Sequence, residues 1–243
     1  LTSQTGFKSF YCNDCTDKLD YYTSEWKKLG FQPDGIYTGF LSSEKQVDKI
    51  LDFINSFETE NTLVLVDPVM GDGGRTYSLF TDALACKMKK LVTVADVITP
   101  NLTECCILCD VDYCKFIKNA DKPDFMGKIA ELGKDLLNRY GVKIVIITGI
   151  EHKDIDGTMY VQNLIASKDE VFSVSCKKIG GSYSGTGDLF ASVMFSGLLR
   201  GDTLRDTVSL AVKFIETSLR DTVALGIDRN EGIEFEKHLK ILL

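Results

Sequence analysis

The sequence has no run of about 18 consecutive apolar residues, the length a helix needs to cross a bilayer, and so offers no transmembrane-helix candidate. It also lacks an excess of positive charge: 28 Lys and Arg stand against 35 Asp and Glu, a net charge of -7. Surfaces that recruit nucleic acid or anionic membranes carry net positive charge, so neither partner is expected, while a local pocket for a small anion stays open. The first residues, "LTSQTGFKSF", lack the basic start and apolar stretch of a signal peptide, which fits a cytoplasmic protein. No initiator Met precedes them, and the chain is expected to begin part-way into its fold. Internal repeats, low-complexity tracts and Pro/Gly-rich linkers are missing too, so residues 1–243 are expected to form a single domain.

What is present is ordinary globular material: 44% of the 243 residues are hydrophobic and 26% charged, too apolar for a disordered chain. Eight cysteines raise the question of metal or disulfides. "CNDC" (Cys12, Cys15) has zinc-knuckle spacing, and "CCILCDVDYC" brings Cys105, Cys106, Cys109 and Cys114. Cys105 and Cys109 lie four apart in a helical segment, however, where cysteine serves as a small buried hydrophobe. Reduced thiols are the favoured reading.

Along the chain, strand-like and helix-like segments alternate. Residues 43–57 place Val47, Ile50, Leu51, Ile54 and Phe57 at helical spacing behind Ser43, an N-cap candidate by residue type. Residues 62–69, "TLVLVDPV", and 142–149, "VKIVIITG", are continuous apolar strands of the kind buried on both faces of a parallel sheet. A short apolar run at 34–40, a strand at 95–99 and helices at 78–92, 101–108 and 124–141 fill the pattern. Residues 157–166 and 169–179 alternate and predict antiparallel strands. Helices at 187–199 and 203–221 and a terminal helix follow. The βαβα rhythm predicts an α/β fold, a three-layer α/β/α sandwich with a mostly parallel central sheet. Ligands of such sheets bind beyond the carboxyl ends of the strands, so the polar residues there are the candidates for chemistry.

Three clusters occupy those ends. "SGTGD" carries Gly185, Thr186 and Gly187, whose amides at a helix N-terminus favour an anion, with Asp188 beside them. Taken alone, Asp188 reads equally well as a first-turn acid stabilising its helix. "DPVMGDGGRTY" brings Asp67 and Asp72, a pair suited to hydrated Mg²⁺, although Asp and Gly are also turn residues. "TPNLTE" sets Asn101 three residues before Glu104, which serves either a ligand or a capped helix. Thr99, Thr148 and Gly149 stand at further strand ends. Each bland reading is respectable alone; three clusters in series are a less ready coincidence.

In order, "TGFLSS", "LVDPVMGDGGRTY", "ADVITPNLTE", "IVIITG" and "GSYSGTGDLFASVMFSGLLRG" resemble the motifs of the pyridoxal (vitamin B6) kinases of the ribokinase superfamily, over nearly the whole chain. The resemblance implies a single ribokinase-like kinase domain that moves the γ-phosphoryl of ATP to the 5′-hydroxyl of a B6 vitamer, with Mg²⁺ and in some members K⁺, usually as a homodimer. It implies that Asp188 is the catalytic base and that Gly185, Thr186 and Gly187 are the anion hole. It places Asp67, Asp72 and Glu104 around cations and phosphates, Thr99 and Thr148 near the monovalent cation, and Asp72, Asn101, Thr148, Gly149 and Tyr77 near the nucleotide. Phe40, Thr5 and Ser184 fall at substrate positions.

Three departures stand out. The family's first βαβ segment has no counterpart here, which implies an N-terminally truncated record or a short gene product. Gln4 stands where the family usually has His, and Gly180 replaces a common Pro. The nearest rival is a hydroxymethylpyrimidine kinase, which shares "DPVM" and "ITPN.TE" but typically has Cys at the place of Asp188. A non-catalytic B6- or nucleotide-binding homologue is the alternative from a different class.

Overall fold

The apolar runs and amphipathic stretches build a six-stranded sheet and, among the described residues, eight α-helices in the computed structural model of the chain, which describes residues 6–78, 80–120 and 122–243. The strands are β1 (Gly35–Thr38), β2 (Leu63–Val66), β5 (Val97–Ile98), β6 (Ile144–Lys153), β7 (Met159–Ser167) and β8 (Val171–Lys177), in the order β1-β2-β5-β6-β7-β8. β1, β2, β5 and β6 run parallel, with Thr38 beside Val66, Val66 beside Ile98 and Ile98 beside Val145. Val64, Leu65 and Val66 are fully buried, the two-faced burial their continuous apolar sequence demands. Each contributes about 1.5–3 kcal/mol by leaving water. A two-stranded antiparallel ribbon, β3 (Gly71–Asp72) with β4 (Arg75–Thr76), follows β2.

The described chain groups into two compact units. One holds Asp14–Gly149 and Leu164–Phe172; the other holds residues 6–13, Ile150–Asn163 and Ser173–Leu243. In the first, α1 (Leu19–Lys28) precedes β1, and α2 (Glu44–Phe57) starts where Ser43 Oγ accepts the Gln46 N–H at 3.3 Å. α2 buries Val47, Ile54 and Phe57. α3 (Asp82–Val92) begins later than the sequence pattern predicts, because Thr81 caps it by accepting the Leu84 N–H at 3.0 Å. α4 (Leu102–Leu108), α5 (Tyr113–Ile117) and α6 (Phe125–Tyr140) follow. α6 ends on Gly141, whose φ of 72° is the left-handed conformation that glycine adopts without a Cβ penalty. Its Gly133 seats the helix on the sheet: a Cβ there would lie 3.2 Å from the Ala166 methyl.

In the second unit, β6 and β7 close a hairpin at Asp154, whose N–H donates to Thr158 O at 2.9 Å. β7 and β8 pair antiparallel there, with Lys178 N–H on Met159 O at 2.9 Å. α7 (Thr186–Arg200) and α8 (Leu204–Leu225) pack closely enough that any side chain at Gly197 would overlap the Thr207 hydroxyl. The Thr207 Oγ1 is buried and has no hydrogen-bond partner among the described residues. The predicted terminal helix is instead a run of 3₁₀ turns over Glu236–Leu242. α1 and α5 go beyond what the pattern predicts.

Among the described residues no disulfide joins the cysteines, and Cys105, Cys106 and Cys109 are buried. Burial raises all three thiols, Cys106 to about 11 and Cys109 to about 12, so they stay protonated and pack as apolar groups. No helix of the described residues is long and apolar enough to cross a membrane.

Candidate functional site

In the first unit the parallel register brings the carboxyl ends of β1, β2 and β5 level, and the polar residues that follow emerge together. Asp67, half-buried, donates its N–H to Thr38 O at 2.8 Å. Thr99, just past β5, donates its N–H to Val66 O at 3.3 Å. Its hydroxyl and that of Thr38 are buried with no hydrogen-bond partner among the described residues. Thr148 bridges to Asn101 and donates its N–H to Pro100 O at 2.9 Å; Gly149 follows with φ 69°.

Asn101 and Glu104 form a complete capping box at the start of α4. The Glu104 carboxylate, almost wholly buried, also accepts the Met70 N–H at 3.0 Å, and the Asn101 Nδ2 donates to Gly71 O at 2.7 Å. Burial, and then the neighbouring Asp67 charge, push the Glu104 carboxyl up to about 8, against the lowering effect of the donated amides. A buried carboxyl raised in part by a neighbouring acid, at the strand ends that also hold the unsatisfied Thr99 hydroxyl, is a donor set that suits a hard cation. Among the described residues no three His, Cys, Asp or Glu side chains form a metal-binding group of their own.

Asp72 lies exposed on the ribbon between Gly71 and Thr76. Tyr77 ends this stretch, its N–H on Met70 O at 3.1 Å and its ring 45% exposed. Phe40, 48% exposed, follows β1.

In the second unit the glycine loop takes the shape an anion site needs. Gly185 is the N-cap of α7 with φ 80°, open to glycine and costly for other residues. The first helical bond is Leu189 N–H to Gly185 O at 3.0 Å, so the amides of Gly185, Thr186 and Gly187 precede it at the positive end of the helix dipole. A Cβ added at Gly185 or Gly187 would meet nothing within 4 Å. Asp188 is exposed in the first turn. Ser184 is fixed by its N–H on Arg229 O at 3.0 Å, and the Thr186 hydroxyl donates to Tyr183 O at 3.0 Å. Gly180 has φ 60°, a conformation closed to proline, so the loop leaves β8 on a path the Pro implied by the resemblance could not take.

The structure thus brings Asp67, Thr99, Asn101, Glu104 and Thr148 together at one set of strand ends, and Ser184, Gly185, Thr186, Gly187 and Asp188 together in one loop. Thr5 lies outside the described residues. Two residues escaped the sequence reading. The Thr103 hydroxyl accepts the Gly74 N–H at 2.9 Å, and the Tyr113 ring packs against Gly74. Thr103 sits inside the "TPNLTE" motif and could have been noticed there; nothing in the sequence marks Tyr113.

The model of the phosphomethylpyrimidine kinase family matches residues 27–232. A pyridoxal kinase of Pseudomonas aeruginosa is 25% identical over 197 residues, covering 79% of this chain and 64% of that protein. A hydroxymethylpyrimidine/phosphomethylpyrimidine kinase of Staphylococcus aureus is 26% identical over 198 residues, covering 81% of this chain and 66% of that protein. A Bacteroides thetaiotaomicron crystal structure with pyridoxal, provisionally named a phosphomethylpyrimidine kinase, is 36% identical. It superposes with a TM-score of 0.87 over 98% of this chain and 80% of that one. The chain spans between about half and two thirds of the length of the curated relatives it matches.

Proposed function

The chain belongs to the phosphomethylpyrimidine kinase family, and from that premise we propose that it is an ATP-dependent kinase phosphorylating the 5′-hydroxyl of a vitamin B6 vitamer (pyridoxal, pyridoxamine or pyridoxine). The observation that carries the choice of substrate is Asp188 in the first turn of α7, directly behind the left-handed Gly185. The pyrimidine kinases resembled typically place Cys there. The pyridoxal in the Bacteroides structure and the pyridoxal kinase relative support the same reading.

In this reading Asp188 takes the proton of the attacking hydroxyl as its oxygen bonds to the γ-phosphorus and the bridging P–O bond of ATP breaks, releasing ADP. Phosphoryl transfer needs little covalent help and depends on positioning and charge. The amides of Gly185, Thr186 and Gly187 supply donors where negative charge gathers. Asp67 and Asp72 would hold Mg²⁺, which lends positive charge to the phosphates when bound, and Glu104, Thr99 and Thr148 would face a monovalent cation such as K⁺. Asp72, Tyr77, Asn101, Thr148 and Gly149 serve the nucleotide; Phe40, Ser184 and Thr5 serve the vitamer. A single kinase domain, a homodimer and a cytoplasmic location belong to the same proposal.

The second reading is a hydroxymethylpyrimidine kinase, favoured by the family model's description and the Staphylococcus relative. An ADP-release assay with Mg·ATP and a panel of pyridoxal, pyridoxamine, pyridoxine and hydroxymethylpyrimidine separates the two. Turnover of a vitamer with kcat/KM well above that for the pyrimidine is expected; the reverse preference overturns the proposal.

A further inference from the structure

The ribbon that carries Asp72 is tied to the first turn of α4 at three backbone groups. Glu104 Oε1 accepts the Met70 N–H at 3.0 Å, Asn101 Nδ2 donates to Gly71 O at 2.7 Å, and Thr103 Oγ1 accepts the Gly74 N–H at 2.9 Å. A two-strand ribbon of two residues a side has too few bonds of its own to hold one geometry. The outer tie is a single bond at the ribbon's tip. There the Tyr113 ring, from α5, fills the space beside Gly74 so closely that a Cβ on Gly74 would come within 2.6 Å of Cε1. Gly74 has φ 78°, so this residue must be glycine on both counts. Tyr113 is itself half-buried at the start of α5. Thr103 therefore bonds the ribbon tip from one side while the Tyr113 ring backs it.

We propose that Thr103 and Tyr113 are positioning residues for nucleotide binding: they clamp the tip of the Gly71–Thr76 ribbon and thereby fix Asp72. The inference rests on the kinase reading, in which Asp72 serves Mg·ATP. An acidic side chain on an exposed, unclamped tip would sample many orientations, and ordering it would be charged against each binding event. The clamp does that ordering in advance.

The test measures hydrogen exchange of the ribbon peptide and the Kd for Mg·ATP by calorimetry in Thr103→Val, Thr103→Ser, Tyr113→Ala and Tyr113→Phe, beside the wild type. Thr103→Val and Tyr113→Ala are expected to speed ribbon exchange about tenfold or more and to weaken Mg·ATP severalfold. Thr103→Ser, which keeps the hydroxyl, and Tyr113→Phe, which keeps the ring, are expected to restore most of both. Melting temperatures identify any variant whose whole fold is loosened, and the two conservative variants then carry the comparison. Unchanged ribbon exchange, or a loosened ribbon with unchanged Kd, overturns the positioning role while leaving the kinase reading intact. A wild-type protein that binds no Mg·ATP sinks the kinase reading, and this inference with it.

Discussion

Asn101 and Glu104 hold each other across the first turn of α4: Asn101 Oδ1 accepts the Glu104 N–H at 3.0 Å, and Glu104 Oε2 accepts the Asn101 N–H at 2.8 Å. The same pair reaches Gly71 and Met70 with its remaining polar atoms, so the helix cap and the ribbon share one set of side chains. Asn101→Ala removes the cap and the ribbon bond together and is expected to cost about 1–2 kcal/mol in urea unfolding. Asn101→Asp keeps the cap but loses the Nδ2 donor and adds a charge beside Glu104. Calorimetry should show it weakening Mg·ATP more than it lowers stability. An Asn101→Ala variant as stable as wild type would show that the box holds nothing.

Asp188→Asn keeps the size and the first-turn position of the side chain and removes its capacity to take a proton. Turnover of the preferred vitamer is expected to fall by about 10²–10⁴-fold. The unfolding free energy should change by less than about 1 kcal/mol, the scale of one charge at a helix N-terminus. Steady-state kinetics beside a denaturation curve checks both; intact turnover would falsify the assignment of the base.

Gly197 and Thr207 test the α7–α8 contact. Gly197→Ala gains helix propensity yet drives a methyl into the Thr207 hydroxyl, and is expected to lose about 1–3 kcal/mol net. Thr207→Val keeps the shape and removes a buried oxygen with no hydrogen-bond partner among the described residues, so it should be neutral or stabilising by about 1 kcal/mol. Combining Gly197→Ala with Thr207→Ala should cost less than the sum of the two changes, read from a double-mutant cycle of unfolding free energies.

Asp110 supplies a pH-dependent contribution remote from the candidate site. It takes φ 58°, which Asp and Asn tolerate, and pairs with Lys89 and with Arg139 Nη1 at 3.0 Å. The Lys89 hydrogen bond, with the Lys89 and Arg139 charges, holds its carboxyl below the usual carboxylate range. A lowered carboxyl stabilises the fold above its unfolded value and stops doing so as pH falls through the folded one. Asp110→Asn should therefore cost about 0.5–1 kcal/mol at pH 7 and nothing once the wild-type carboxyl is protonated, well below pH 4. High salt should shrink the difference too. A gap between the variants that is constant from pH 7 to pH 3 would rule the ion pairs out.

The parts of this fold visible in the sequence are those governed by local rules. Ser43 ahead of an apolar period of three and four, the continuous apolar run of β2, and Gly141 after α6 each act within a few residues, and the structure has them where the pattern predicts. α1 is hidden because it buries no residue fully: its large side chains, Tyr21, Tyr22 and Trp26, stay at least 40% exposed and mark no inward stripe. The terminal segment has helical composition but only i→i+3 turns such as His238 N–H to Phe235 O at 2.9 Å. In the site, Asn101 and Glu104 were legible as a cap because a cap is local. Their grip on Met70 and Gly71, and the roles of Thr103 and Tyr113, depend on contacts some thirty or more residues away, which no spacing rule encodes.

The clamp on the ribbon tip has a consequence for how this sequence can drift. Gly74, Thr103 and Tyr113 meet at one ribbon tip: a larger residue at the first is admitted only if the third shrinks, and the hydroxyl of the second holds the first in place. Homologous sequences should therefore change these three positions together or not at all, leaving a trace of correlated substitution where each position alone looks unremarked.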